Sequence, residues 1–356
     1  MNFSRYEIEH KRRINQYLSD IKFAYNEAIN EIVLISGLVA LDIDKPFTFD
    51  NKNNINVRAN QAFSKLNTSI SGIIGLGIVL EWDFANKKND TLVGSVLKNA
   101  QNNPKFNGYY SNNLAALEAF QQRKINGMNL SRRVWNLTDT FKTQMELGIE
   151  VGLRNGISAS EMSRNLREYL NEPKKLFRRV REVITDENGN KIKMSRLLES
   201  KAMKAYNPGQ GVYRSSYRNA IRLTATEINM AYRKSDAIRW QQLDFIVGIN
   251  IKISNNRKRH FDICDELQGK YPKDFVFIGW HPFCRCYAVP IMKTMEELED
   301  DNERILNGEE TDTSSENEVT ELQSQMTDYL EKNREKILSA KTLPYWYKEN
   351  KNILKL

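Results

Sequence analysis

The chain has few of the residues that tie small secreted proteins together. It contains three cysteines and three histidines among 356 residues. Three cysteines are too few for a disulfide framework, and the odd count leaves one unpaired, so we expect a reducing compartment. The longest apolar run, residues 70–80, is far shorter than the roughly 20 residues of a membrane span, and the start of the chain is polar. We therefore expect neither a signal peptide nor a membrane partner.

Familiar catalytic motifs are also missing. The sequence has no H-E-x-x-H, no H-x-E with P-C-x-x-C, no G-x-S-x-G and no phosphate-binding glycine loop. The chemistry of these motifs is therefore excluded, and we predict no catalytic residue.

Charge is distributed unevenly along the chain. The net charge is +8, yet residues 295–356 hold sixteen acidic side chains against eight basic ones, so residues 1–294 carry +16. A body this basic attracts polyanions, of which nucleic acid is the commonest. The alternative is that lysine and arginine only solvate long helices.

Apolar residues recur at helical spacing through most of the N-terminal half. The spacing predicts helices over residues 13–39, 57–74 and 134–149, and Ser158 with Glu161 has the spacing of a capping box that begins another helix. Asn188 and Gly189 indicate a hairpin turn. A long helix is predicted over 211–244, a strand over 245–254 and a short returning strand over 287–291.

These elements predict a mainly α fold, with long N-terminal helices followed by a small α+β module. We divide the chain into an N-terminal helical region at 1–128, a domain at 129–292 with a ligand-bound loop at 255–290, an acidic linker at 293–318, and a C-terminal helix with an aromatic tail at 319–356. Tyr345, Trp346 and Tyr347 in that tail are expected to dock on this chain or on a partner.

Two groups of arginines are candidates for contact with nucleic acid or a partner protein. Arg178 and Arg179 lie in the most basic short segment, just before the predicted hairpin turn. Arg214, Arg218 and Arg222 are spaced by four, which places them on one stripe of a helix. The alternative for the stripe is a solvated face with Glu227 and Asp236 as counter-charges.

Every cysteine and two of the histidines gather in residues 260–286, as H-x3-C followed by H-x2-C-x-C. Zinc binds thiolate sulfur and imidazole nitrogen in a tetrahedron, and pairs separated by a loop supply such ligands. Five candidates compete for four positions: His260, Cys264, His281, Cys284 and Cys286. The alternative is a set of buried free thiols with incidental histidines.

A metal site of this composition could be structural or catalytic. Catalysis would need an open coordination position and a general base, and Asp262, Asp265 and Glu266 are the acidic residues nearest in sequence. Sulfur-rich ligands at close spacing favour a structural zinc site.

Three segments carry a resemblance to a known family: RLTATEINMAYR at 222–233, DICDELQGKYP at 262–272 and HPFCRC at 281–286. Together they resemble the head morphogenesis domain of tailed bacteriophages, of the Mu protein F type, over about residues 130–292. HPFCRC and LQGK are the most specific elements. The family's R-T-E appears here as Ala225-Thr226-Glu227, and its commoner C-x-x-C is replaced by Cys264 with His260 upstream.

The resemblance implies a minor head protein, present in the virion and in the host cytoplasm during assembly. Its implied partners are portal and capsid proteins, with oligomerisation through the portal and non-specific contact with packaged double-stranded DNA. The rival hypothesis is a zinc-supported nuclease or toxin domain that acts on DNA. A plain DNA-binding zinc module is disfavoured, because no helix after the cluster carries base-reading arginines.

Overall fold

The computed structural model describes most of the chain. The described residues are 3–37, 47–51, 53–98, 104–154, 156–171, 177–185, 189, 191–199, 213, 215–254, 261–312 and 314–354.

Ten α-helices form the bulk of this part of the chain, so the prediction of a mainly α fold is confirmed. The ten helices are α1 (Phe3–Ser36), α2 (Asn53–Leu97), α3 (Leu114–Gln122), α4 (Leu130–Arg154), α5 (Ala159–Asn171), α6 (Ser216–Gln241), α7 (Ile263–Glu266), α8 (Met295–Leu306), α9 (Ser324–Leu338) and α10 (Tyr345–Glu349). A 3-10 helix lies at Pro104–Tyr110. Several of the α-helices are longer than their apolar periodicity predicts.

Two small antiparallel sheets accompany the helices in the described residues. The first is the predicted hairpin, in which β1 (Phe177–Thr185) pairs with β2 (Lys191–Glu199). The second has the order β4-β3-β5, with β3 (Ile246–Lys252) between β4 (Gly269–Tyr271) and β5 (Tyr287–Met292). β3 and β5 are the two strands predicted on either side of the cysteine and histidine loop.

The chain divides into two compact units that are not sequential. Unit 1 contains residues 1–17, 74–127 and 224–356, and unit 2 contains 18–73 and 128–223. Helices α1, α2 and α6 each contribute residues to both units. The predicted division into successive segments, with boundaries at 128 and 292, therefore differs from the contacts that the chain makes.

The core of unit 1 is formed by the second sheet, the loop between β4 and β5, and the C-terminal helices. Its buried residues include a cluster of five aromatic side chains: Tyr271, Phe275, Phe277, Trp280 and Trp346. The ring centroid of Trp280 lies 5.2–6.0 Å from those of Tyr271, Phe275 and Phe277, and Tyr271 and Phe275 are 4.4 Å apart. Trp346 contacts Trp280 edge to face at 5.7 Å. The expectation that the aromatic tail docks on this chain is confirmed.

The prediction of an acidic linker at 293–318 was wrong for much of that segment. Thr294 and Glu297 form a capping box that begins α8. Leu298 and Ile305 are buried in the core. Because an acidic surface does not prevent a helix from burying two apolar side chains on its other face, composition alone misjudged this segment.

In unit 2, helices α4 and α5 pack closely because two glycines of α4 leave room for α5. A Cβ on Gly148 would lie 2.2 Å from Leu166 Cδ2, and one on Gly152 would lie 2.6 Å from Met162 Cε. Ser158 Oγ accepts a hydrogen bond from the main-chain N–H of Glu161, as the predicted capping box requires.

Helix α2 is the one described helix long and apolar enough to cross a membrane by length and composition, which is weak evidence for a span. Two of its charged side chains are fully buried and paired inside unit 1. Glu81 accepts hydrogen bonds from His10 and Arg13, and Lys88 lies 2.6 Å from Asp236. Such pairing is typical of a core helix.

Candidate metal centre

The short helix α7 and the loop before β5 bring the three cysteines together. Cys264 lies in α7, Cys284 follows a turn that begins at His281, and Cys286 directly precedes β5. All three thiols are free and buried, with 1–2% of each residue exposed. The clustering that the sequence predicts is therefore present in the fold.

Cys264, His281 and Cys284 have the spacing of metal ligands. Their ligand atoms all lie within 4.8 Å of one another. Cys264 Sγ is 3.8 Å from Cys284 Sγ and 3.1 Å from His281 Nε2. Zinc–sulfur bonds of about 2.3 Å in a tetrahedron place two sulfurs about 3.8 Å apart. The three residues, with Cys286 beside them, could therefore bind a metal ion.

The orientation of the His281 ring suits coordination through Nε2. Its Nδ1 lies 2.7 Å from the carbonyl oxygen of Pro282. Because a carbonyl oxygen can only accept, Nδ1 carries the proton and Nε2 presents its lone pair toward Cys264. An imidazole in this tautomer needs no proton loss to become a ligand.

Of the three thiols, that of Cys284 loses its proton most easily. Hydrogen bonds from the Cys264 and Cys286 thiols, together with the charge of Arg233, lower the pKa of Cys284. Hydrogen bonding to Cys284 and Cys286 in turn raises the pKa of Cys264. The hydrogen bond from Cys264 lowers the pKa of Cys286, but hydrogen bonding to Cys284 and burial together raise it to about 12. A divalent cation would supply the positive charge that lets all three ionise.

Helix α6 holds the cysteine loop through Arg233 and Thr226. Arg233 is 8% exposed, and its guanidinium donates to the carbonyl oxygens of Ile278, Cys284 and Cys286 at 3.1, 2.7 and 2.7 Å. Thr226 Oγ1 accepts from the main-chain N–H of Phe283. The segments 222–233 and 281–286, which carry the family resemblance, are therefore in direct contact.

The acidic residues beside the cluster have structural roles. Asp262 Oδ1 accepts from the Cys264 N–H at 2.8 Å, and Asp265 Oδ2 accepts from the Asp262 N–H at 3.0 Å, which together form a capping box on α7. Asp262 Oδ2 is 3.6 Å from His281 Nε2, beyond hydrogen-bonding distance. Both carboxylates thereby orient the helix that carries Cys264.

The other predicted site residues are placed as follows. His260 and Arg214 lie outside the described residues, and Arg178 and Arg179 lie on β1, with only their backbone described. Arg218 is exposed on α6, with its Nε donating to Asn171 O at 2.8 Å, and Arg222 is half-buried. Of the proposed counter-charges, Glu227 pairs with Arg123 and Asp236 with Lys88 within unit 1.

Sequence reasoning missed Arg233, which donates three hydrogen bonds to the loop. The available signal was its position at the end of RLTATEINMAYR, on the helix that precedes the cluster.

No known protein family, curated protein or solved structure matches the chain.

Proposed function

We propose that this chain is a minor head protein of a tailed bacteriophage, and that its cysteine and histidine loop binds one structural zinc ion. The observation that carries the proposal is a set of three buried thiols and one half-buried imidazole, in a loop held by Arg233 on the helix that also bears the family-like segment. In this proposal the protein is not an enzyme. It assembles with portal and capsid proteins and makes a secondary, non-specific contact with double-stranded DNA.

Zinc is favoured because the candidate ligands are sulfur-rich and can fill four coordination positions without a carboxylate. Cys264, His281, Cys284 and Cys286 would hold the ion, and thiolates select zinc over magnesium or calcium. Zinc coordination contributes on the order of 10 kcal/mol to the folding of a small module, and here it would order the loop between β4 and β5.

The first test is metal analysis of the full chain prepared without chelator, for which we expect about one zinc per chain. Cys284→Ser should lower zinc content and increase protease sensitivity between β3 and β5. Glu266→Gln should leave both unchanged, because Glu266 is no part of the thiol and imidazole set. Absence of bound metal in the unsubstituted protein would refute the zinc site.

The second test separates the head function from the metal site. The chain is co-expressed with portal and capsid proteins of the phage genome that encodes it, and its presence in purified heads is measured. We expect incorporation of the unsubstituted chain and of Glu266→Gln, and loss of incorporation for Cys284→Ser. A zinc-loaded chain that never enters heads would contradict the head function alone.

The nuclease hypothesis makes the opposite prediction for the carboxylates. A nuclease would lose DNA cleavage on Asp262→Asn or Glu266→Gln while keeping its melting temperature and its zinc. Because the Asp262 and Asp265 side chains cap α7, we expect no cleavage by the unsubstituted protein.

A further inference from the structure

Unit 2 contains a small polar notch between helices α1, α5 and α6. Its polar lining consists of Lys22, Tyr25, Asn26, Arg167, Asn171 and Tyr217, and in the described part of the chain no carboxylate lines it. The positively charged Lys22 and Arg167 thus line the notch together with amide and phenol groups, and no acidic side chain among its lining residues balances their charge.

Two hydrogen-bond donors in the notch are buried without a partner. Tyr25 is only 1% exposed, and neither its hydroxyl proton nor that of Arg167 Nε meets an acceptor at hydrogen-bonding distance in the described structure. Burial raises the pKa of Tyr25 well above its usual value, against a smaller lowering by the nearby Ser216 hydroxyl, so the phenol keeps its proton across the physiological range. The Ser216 hydroxyl can donate to the Tyr25 oxygen, which leaves the phenol proton for an acceptor from outside. Buried donors left unpaired are costly, which makes an acceptor from outside the chain favourable.

The guanidinium of Arg167 is already fixed in position. Its Nη2 donates to Asn30 Oδ1 at 2.6 Å and to Ser163 Oγ at 2.5 Å, while Nε is left free. Arg218, one of the arginines predicted to contact nucleic acid, donates to the carbonyl oxygen of Asn171 beside the notch. A ligand would therefore meet a preorganised donor and not a flexible side chain.

We propose that the notch binds one oxygen of a phosphate group, with Lys22 and Arg167 balancing its charge and the Tyr25 hydroxyl donating a hydrogen bond. The enclosed volume is about 10 Å³, which admits a single oxygen atom and leaves the rest of the phosphate outside. This fits a phosphodiester that lies across the surface. The inference deepens the DNA contact of the proposed function, on which it rests.

Two variants test the notch with matched controls in the same unit. Tyr25→Phe removes only the buried hydroxyl, and Lys22→Gln removes one charge. The controls are Tyr213→Phe and Lys65→Gln, both at exposed positions outside the notch. The full chain is titrated with a short DNA duplex at several salt concentrations and, separately, with inorganic phosphate.

We expect Lys22→Gln to weaken duplex binding by about 3- to 10-fold and to reduce the salt slope by about one, since one phosphate contact is lost. Tyr25→Phe should weaken binding by about 2- to 10-fold, the effect of one hydrogen bond, without lowering the melting temperature. Both controls should bind as the unsubstituted chain does.

The outcomes separate the sources of the phosphate group and the two proposals. Loss of inorganic phosphate binding with unchanged duplex binding would support the site and identify free phosphate as its ligand. If the variants bind both ligands as tightly as their controls, the notch holds only water and the inference is overturned. If the unsubstituted chain binds neither ligand, the DNA contact of the proposed function fails as well, whereas its zinc content is measured independently.

Discussion

Arg233 on α6 and Cys284 in the loop before β5 are joined by a hydrogen bond of 2.7 Å from the guanidinium to the main-chain carbonyl oxygen. The same Nη2 donates to the carbonyl oxygen of Cys286, two residues later. One side chain thereby fixes the backbone on both sides of Arg285. It positions the two sulfurs without being a ligand itself.

Replacement of Arg233 should therefore damage the centre as much as loss of a ligand. Arg233→Met leaves three carbonyl oxygens without their buried donor, and we expect a loss of at least about 3 kcal/mol in the free energy of unfolding, with weaker metal retention. Arg233→Lys should be intermediate, since an ammonium cannot reproduce the planar fork. The measurements are urea unfolding and metal retention against a chelator.

The control for this prediction is Arg285→Met, in the same loop. Arg285 is exposed, so its loss should change neither quantity by much. Equal effects of the two substitutions would show that Arg233 acts only through net charge.

Gly279 is a second position that the geometry of the loop requires. Its φ is +113°, and a Cβ there would lie 2.6 Å from Arg233 Nη1 and 3.2 Å from Cys284 Cβ. Gly279→Ala should therefore lower metal retention and destabilise unit 1 by more than the roughly 1–3 kcal/mol of backbone strain alone. Metal analysis and thermal melting check this.

Gly308→Ala is the matched control, because Gly308 also has a positive φ, +80°, but has open space around its Cβ position. It isolates strain from the steric clash. If both alanine variants lose the same stability and both keep the metal, the contact between Gly279 and Arg233 is unimportant.

The sequence predicted the local features of the centre better than the distant ones. Cys264, His281 and Cys284 were foreseeable because their ligands lie within one short segment. Arg233 was not, since its role depends on the packing of α6 against a loop some fifty residues later. The polar notch is less foreseeable still, because it combines residues of three helices, and α1 lies more than a hundred positions before α5 and α6.

The same reason explains the errors in element length. The apolar spacing predicted a helix over residues 57–74, whereas α2 continues to Leu97 and carries Glu81 and Lys88 in its second half. Both are buried because α1 and α6 supply their partners, which the spacing within α2 cannot indicate. Lys293 and Asp301, paired at 2.7 Å, similarly bury charge in the segment predicted to be a linker.

The C-terminal helices should be essential for the stability of unit 1. Trp346 is 2% exposed, and Asn350 exchanges two hydrogen bonds with the backbone of Val276. We expect Trp346→Ala to cost about 3–5 kcal/mol, and removal of residues 295–356 to abolish the cooperative melt. Calorimetry measures both.

Trp135→Ala is the control for the tryptophan. Trp135 is 48% exposed, so its loss should cost little. A truncated chain that still melts cooperatively and binds metal would show that residues 295–356 are not required for the core of unit 1.

Glu297 should make the attachment of residues 314–316 to α8 sensitive to acid. Its carboxylate accepts hydrogen bonds from Ser315 Oγ and from the main-chain N–H groups of Glu316 and Thr294, at 2.7–2.8 Å. These bonds, that from Ser315 first, lower the pKa of Glu297 to about 2. A folded-state pKa below the unfolded value of about 4.3 contributes stability above pH 4.3 that is lost as the pH falls toward 2.

We therefore expect the stability difference between the unsubstituted chain and Glu297→Gln to be full at pH 6 and to shrink steadily between about pH 4.3 and 2. Urea unfolding at intervals across that range measures the difference, and carbon-detected NMR titration gives the pKa of the carboxyl directly. Glu299→Gln, an exposed position on the same helix, controls for the change in net charge. A measured pKa of Glu297 near 4.3, or a stability difference that stays constant with pH, would mean that the carboxylate does not hold this loop, and the ordered path of the acidic segment would need another cause.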